Sequence, residues 1–146
     1  MEYEINSETL AIIPLQKGKS KILELNDEYE IDLTPYKIME NSCNYYGSSL
    51  TGRMEGSKSI LGSIYKAPIM VEETNNLIFF PTTATDGENN VWICSNNVLN
   101  YQKNGKKTII EWINNTKTEI DIPVISLEMQ LLRSAKLKNI TQQRKK

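Results

Sequence analysis

The sequence predicts an α+β fold: a mostly antiparallel β-sheet or partial barrel, with an inserted helix and glycine-rich loop and a C-terminal helix. Three observations carry this. Short apolar runs separated by turn residues recur from Thr9 to Ile122. Thr34-Pro35 interrupts them with a helix start, a hydroxyl N-cap followed by proline at the first helical position. After Pro123 the pattern changes to a long amphipathic run. At 146 residues the chain is expected to form one domain, residues 1–141, with 142–146 a frayed basic tail.

The elements follow in order. TLAIIPL, Thr9 to Leu15, reads as a strand broken by Pro14, and Lys17-Gly18-Lys19 as a turn. KILEL, Lys21 to Leu25, is its partner strand, and Tyr29 to Leu33 a third. The helix begun at Thr34-Pro35 carries Ile38, Met39 and Cys43 and stops at Gly47. Gly52, Gly56 and Gly62 make the next stretch an interrupted helix or a loop. APIMV, Ala67 to Val71, and NLIFFP, Asn76 to Pro81, read as buried strands around an EETN turn. ATDGENN, Ala84 to Asn90, is a loop, and Val91 to Cys94 a short strand. Ser95 to Gly105 is polar and suits an edge strand. In TIIEWI and TEIDI, around Asn114-Asn115-Thr116, strict alternation predicts a hairpin with Trp112 against Ile120. Ser126 then caps a helix from Leu127 to about Ile140, with Leu131, Leu132, Ala135 and Leu137 inward.

Composition excludes several chemistries. There is no histidine, which removes Ser-His-Asp and Cys-His catalysis and the commonest metal ligand. Cys43 and Cys94 stand far apart, without zinc or disulfide spacing, and read as small buried hydrophobes. Trp92 and Trp112 lie in apolar strands and read as core. The N-terminus, MEYEINSETLAII, is acidic where a signal peptide is basic, and LAIIPL is too short to span a bilayer. A cytoplasmic protein with no membrane partner is expected.

The net charge of -1 hides a gradient. Residues 1–34 hold eight acids against three lysines. From Ser42 to Val71, Arg53, Lys58 and Lys66 face only Glu55. Residues 72–126 return to an acidic balance of -3. From Leu127 on, six bases face only Glu128. The asymmetry suits a polyanion met by the middle and the tail, or a solvated surface that segregates charge.

Ser42 to Ser57, SCNYYGSSLTGRMEGS, concentrates the candidate chemistry. Gly47 to Gly52 has the GxxxxG spacing of a phosphate loop. Arg53 and Met54, however, stand where that loop needs Lys and then Ser or Thr. A glycine-rich turn that bonds its own backbone accounts for the composition. So does a DNA-facing turn: free amides with Ser48, Ser49 and Thr51 suit phosphate oxygens, and Arg53 and Lys58 supply charge. Asn44, Tyr45 and Tyr46 offer amide and planar groups to a groove; as neighbours on a helix, the two tyrosines point to different sides, one inward and one out.

Those residues resemble the glycine-rich signature of the ComK family, competence transcription factors of Gram-positive bacteria. That signature runs Ser-Cys, a variable residue, two aromatics, Gly-Ser-Ser, a spacer of two, then Gly-Arg and a further Gly. KAPIMVEETNNLIFFPT, Lys66 to Thr82, is similar to the family's Pro-Ile-Met-Val, turn, Phe-Pro-Thr segment, and VWIC, Val91 to Cys94, to its Trp-Ile strand. The likeness spans roughly Thr9 to Ile140 and is to a short member without the C-terminal tail. It implies a ComK-like DNA-binding domain that regulates competence, the DNA-uptake genes, from double-stranded A/T-rich boxes. Binding is implied to run through the minor groove, as a homo-oligomer with a dimer on each box. A longer ComK relative and a Clp protease adaptor are implied as further partners, and no metal or cofactor. Arginine is the residue that enters a narrow A/T minor groove, so Arg53 leads the candidates. Lys66 and the helical cluster Arg133, Lys136 and Lys138 complete the expected DNA-binding set, though the cluster equally suits the negative end of a helix dipole.

Two rivals stay open. One is an interaction module that has lost DNA binding and modulates a full-length relative, with exposed Ile or Leu of the last helix as its surface. The other is an enzyme using Glu72-Glu73 or Asp27-Glu28 as acid and base; adjacent carboxylates on turns are ordinarily solvated. No enzyme activity is expected.

Overall fold

A computed structural model describes residues 2–62, 66–82 and 90–145. Nine strands and three α-helices are present among them: β1 (Thr9–Pro14), β2 (Ser20–Glu24), β3 (Glu28–Ile31), α1 (Pro35–Tyr45), α2 (Leu50–Leu61), β4 (Ile69–Glu72), β5 (Leu77–Pro81), β6 (Trp92–Cys94), β7 (Val98–Asn104), β8 (Lys107–Trp112), β9 (Lys117–Ile120) and α3 (Val124–Arg144). The α+β class and the antiparallel pairing are those expected. The strands divide into two sheets, in the orders β3-β2-β1-β6-β5-β4 and β7-β8-β9. β7 is an edge strand, as its polarity predicts.

The six-stranded sheet is covered on both faces. Alternation along β6 shows it: Trp92 and Cys94 join a cluster with Ile12, Ile22, Phe79 and the α1 residues Ile38, Met39 and Cys43. Ile93, between them, joins Phe80, Ile110, Trp112, Ile120 and Leu127 on the other side. One face therefore packs on the α1–α2 layer and the other on the small sheet and the start of α3. Two-sided burial explains why LIFFP in β5 reads as a continuous apolar run.

The hairpin forms, and Trp112 and Ile120 pack in one core cluster as expected. Ile120 lies opposite Thr108, and Thr118 opposite Ile110. Trp112 and Ile120 share a core without facing each other across the strands, and the Trp112 ring nitrogen donates to Thr118 Oγ1 at 2.8 Å. The expected loop at Ala84 to Asn90 lies, but for Asn90, outside the described residues.

The last helix departs most from expectation. It starts at Val124 with Pro123 as N-cap, so Ser126 lies inside its first turn and caps nothing. It runs to Arg144, beyond the expected end near Ile140. Its buried residues are Leu127, Gln130, Ser134 and Leu137. Leu132 and Ala135 face outward, because the stripe that fits the sheet includes two polar residues whose bonds are met. Gln130 Nε2 donates to the Lys66 and Pro81 carbonyls at 2.7 and 2.9 Å, and Ser134 Oγ donates to the Gln130 carbonyl.

Candidate nucleic-acid interface

The Ser42–Ser57 stretch folds as two helices joined by a tight turn. Thr34 Oγ1 accepts the Lys37 amide at 3.2 Å and starts α1, with Pro35 at its first position. Pro35, Ile38, Met39, Ser42 and Cys43 are buried at helical spacing. Gly47 ends α1 in the left-handed region, φ 88°. The Ser48 amide reaches the Cys43 carbonyl and the Gly47 amide the Asn44 carbonyl, both at 3.0 Å, the bonding of a Schellman cap. Ser49 then caps α2, its Oγ accepting the Gly52 amide at 3.0 Å. The expected interrupted helix or loop is thus one regular helix through Gly52 and Gly56. Ser49 capping and burial of Leu50 and Ser57 outweigh the cost of two glycines, about 1 kcal/mol each.

The structure separates the two tyrosines. Tyr45 is 66% exposed, while Tyr46 turns inward and donates its hydroxyl to the Ile5 carbonyl at 2.8 Å. The rings meet edge to face with centroids 5.1 Å apart. Asn44, Ser49 and Thr51 are exposed in and beside the turn, Ser48 is half-buried, and Lys58 is exposed in the last turn of α2. The first amides of α2 have no helical carbonyl to bond, so this rim presents donors, hydroxyls and the positive end of a helix. Glu55 is also exposed on α2.

Arg53 is held rather than free. Its Nη1 donates to Glu73, in the turn between β4 and β5, at 2.9 Å. The Arg53 side chain keeps 21% of its exposure, and its Nε is buried without a hydrogen-bond partner among the described residues. The Glu73 carboxyl is held below the usual range, first by that hydrogen bond and then by the arginine charge. Lys145 Nζ donates to the Glu73 carbonyl at 3.0 Å, so the same turn ties α2 to the end of α3. Beside Arg53, between α2, α3 and β4, lies a hollow of about 240 Å³ that Gly52, Gly56 and Thr141 also line.

The remaining candidates sit elsewhere. Lys66 has positive φ, 58°, and its carbonyl is held by Gln130. Arg133 Nη1 bonds Gln130 Oε1 at 3.3 Å, so Lys66 and Arg133 meet through one glutamine. Lys136 and Lys138 are exposed but two residues apart, which turns them to different sides of α3. None of the three α3 bases lies in the last turn, where the basic residue is Arg144. The dipole explanation therefore does not apply to them.

The sequence reading missed one basic feature. Lys103, Lys106 and Lys107 sit exposed at the tip of the β7–β8 hairpin, with Gly105 at φ 63° in its turn. Lys107 and Asn104 engage Glu119; Lys103 and Lys106 have no ion pair among the described residues. The signal was there to find: residues 91–110 hold no acid.

The rival acidic pairs are occupied. Glu72 accepts the Asn75 backbone and side-chain amides at 2.8 Å, Glu73 holds Arg53, and Glu28 pairs with Lys21. Among the described residues no group of three or more His, Cys, Asp or Glu could hold a metal, and no helix is long and apolar enough to cross a membrane.

A family model described as ComK protein matches residues 1–146. The chain is 32% identical to a protein named competence transcription factor from Bacillus subtilis (strain 168), over 97% of this chain and 76% of that one. No solved structure matches it.

Proposed function

The chain belongs to the ComK family, and on that premise we propose that it is a regulator of competence transcription that binds A/T-rich duplex DNA through the minor groove. One observation carries the reading. The α1–α2 turn exposes Asn44, Tyr45, Ser49 and Thr51 at the N-terminus of α2, and Lys58 is exposed in the last turn of that helix. Hydroxyls and the first amides of α2 suit phosphate oxygens and fix register; Asn44 and Tyr45 are the groups that reach a groove. Arg53 joins them by exchanging Glu73 for the DNA. Its unmet Nε lowers the cost of that exchange, since the guanidinium is only partly satisfied as it stands. A narrow A/T groove concentrates negative potential and favours the arginine there. Such a role places the protein in the cytoplasm.

A titration against an A/T-box duplex and a G/C-rich control, each at two salt concentrations, tests this. The A/T duplex is expected to bind tighter, with log affinity falling by roughly 0.9 per phosphate contact against log salt. Equal binding to both duplexes, or none, overturns it.

The Arg53–Glu73 pair also favours a second reading, a modulator that contacts a longer relative and leaves DNA alone. Absence of duplex binding together with a mixed complex on size-exclusion chromatography is its signature.

A further inference from the structure

Ser57 is one of two buried residues of α2, at 3% exposure. A buried serine in a helix can give its hydroxyl to the carbonyl four residues back, as Ser42 does to Ile38 at 2.7 Å and Ser134 to Gln130 at 2.8 Å. The Ser57 hydroxyl makes no such bond and has no partner among the described residues. It lines the hollow of about 240 Å³ between α2, α3 and β4. Arg53 lines the same hollow, and its Nε is also unpaired among the described residues. Two incompletely satisfied donor groups, four residues apart on one helix face, thus border one space. Buried polar groups are ordinarily met, so this pair calls for an acceptor.

We infer that the hollow binds a small organic phosphate, a phosphate monoester carrying a short hydrocarbon group. The number of donors selects the head. Ser57 and the Arg53 guanidinium stand on α2, while Ser48 and Thr141 bring half-buried hydroxyls from the α1–α2 turn and from α3. A tetrahedral phosphate accepts from several sides, whereas a flat carboxylate accepts in one plane. Charge agrees. Glu73 also lines the hollow, but its carboxylate is engaged by Arg53, and Lys145 Nζ sits on its carbonyl at 3.0 Å, so bases outnumber acids there. The hydrocarbon group is selected by the rest of the wall, where Ile60, Met70 and Leu137 pack in one apolar cluster. A Cβ at Gly56 meets nothing within 4 Å, so the α2 side of the hollow is unobstructed. The inference stands apart from the DNA reading and meets it only at Arg53, which a bound ester holds back from a groove.

A titration of the full chain with butyl phosphate, followed by amide NMR shifts without DNA, tests this, and its failure leaves the DNA reading standing. Saturable shifts are expected in α2 and the end of α3. The ester should bind at least about tenfold tighter than inorganic phosphate, which has no hydrocarbon to bury. Ser57→Ala should weaken binding at least about tenfold while the melting temperature holds or rises, because the hydroxyl it removes is buried and unpaired. Gly56→Leu should fill the hollow without removing a donor, and so abolish binding. No saturable shift, inorganic phosphate binding as tightly as the ester, or undiminished affinity in either variant overturns the proposal.

Discussion

Arg53 Nη1 and a Glu73 carboxylate oxygen lie 2.9 Å apart, joining residues twenty positions distant in the chain. If Arg53 is the minor-groove residue proposed above, Glu73 competes with DNA for it. Glu73→Gln removes the competing charge while keeping shape. A partly exposed pair contributes up to about 1 kcal/mol, so A/T-duplex affinity is expected to rise by up to roughly fivefold. The salt slope should be unchanged, because Arg53 makes its DNA contact with or without Glu73. Arg53→Ala should lower affinity and flatten the slope by about 0.9. Fluorescence anisotropy at several salt concentrations checks both. An unchanged slope in Arg53→Ala moves the contact to another surface, with the Lys103–Lys106 hairpin tip the first to test. The Glu73 carboxyl is depressed in the folded state, so the pair's stability is present above the ordinary glutamate range. It is lost as pH falls through the depressed value, and binding between pH 6 and 8 should not vary through this group.

Tyr45 and Tyr46 are adjacent, yet their variants should separate stability from binding. Tyr46→Phe leaves the Ile5 carbonyl without its donor and is expected to cost about 1 kcal/mol in urea unfolding, with duplex affinity kept. Tyr45→Ala removes an exposed ring. It should cost about 1 kcal/mol or less of folding stability, the worth of one edge-to-face contact, and lower A/T affinity without altering the salt slope. Loss of affinity in Tyr46→Phe and not in Tyr45→Ala would reverse the assigned faces.

Local signals made much of this fold legible. Thr34-Pro35 and Gly47 bracket α1 because capping and left-handed φ are set by single residues. The β8–β9 hairpin followed from alternation alone. What failed had tertiary causes. Gly52 and Gly56 read as helix breakers, since nothing local shows that Ser49 would cap or Leu50 bury. Leu132 read as inward because it is apolar, whereas the inward row takes Gln130, whose amide is satisfied by carbonyls of distant segments. For the same reason the site was legible as a segment but not as a geometry. The partner of Arg53 lies across a strand, and no spacing rule announces it.

The two glycines of α2 should behave differently. A Cβ at Gly56 meets nothing within 4 Å, so Gly56→Ala is expected to stabilise the protein by about 1 kcal/mol or slightly less. A Cβ at Gly52 comes within 2.9 Å of the Ser49 Oγ and displaces the cap. The gain in helix propensity is then offset by about 1 kcal/mol of lost capping, leaving Gly52→Ala neutral or destabilising. Thermal melts measure this. If α2 approaches DNA along its bare backbone, Gly56→Ala should also weaken duplex binding while raising the melting temperature, a split that a purely structural glycine does not produce.

Both thiols are buried, and their chemistry follows from that. Burial pushes Cys43 up to about 11, with the Arg53 charge opposing slightly, and Cys94 up to about 12, with bonds from Asn96 and Asn97 opposing. The thiolate is the reactive form, so the native protein should be inert to a thiol-directed disulfide reagent at pH 8, and both groups should react in urea. Because the folded values lie above the ordinary 9.0, the folded state binds more protons at high pH. The stability this represents is whole below about pH 9 and is lost as pH rises through 11 to 12. Slow labelling of native protein at a rate equal to global unfolding is the expected result. Fast labelling of Cys43 alone would show that α1 opens by itself, and would place the α1–α2 turn on a mobile unit rather than a rigid one.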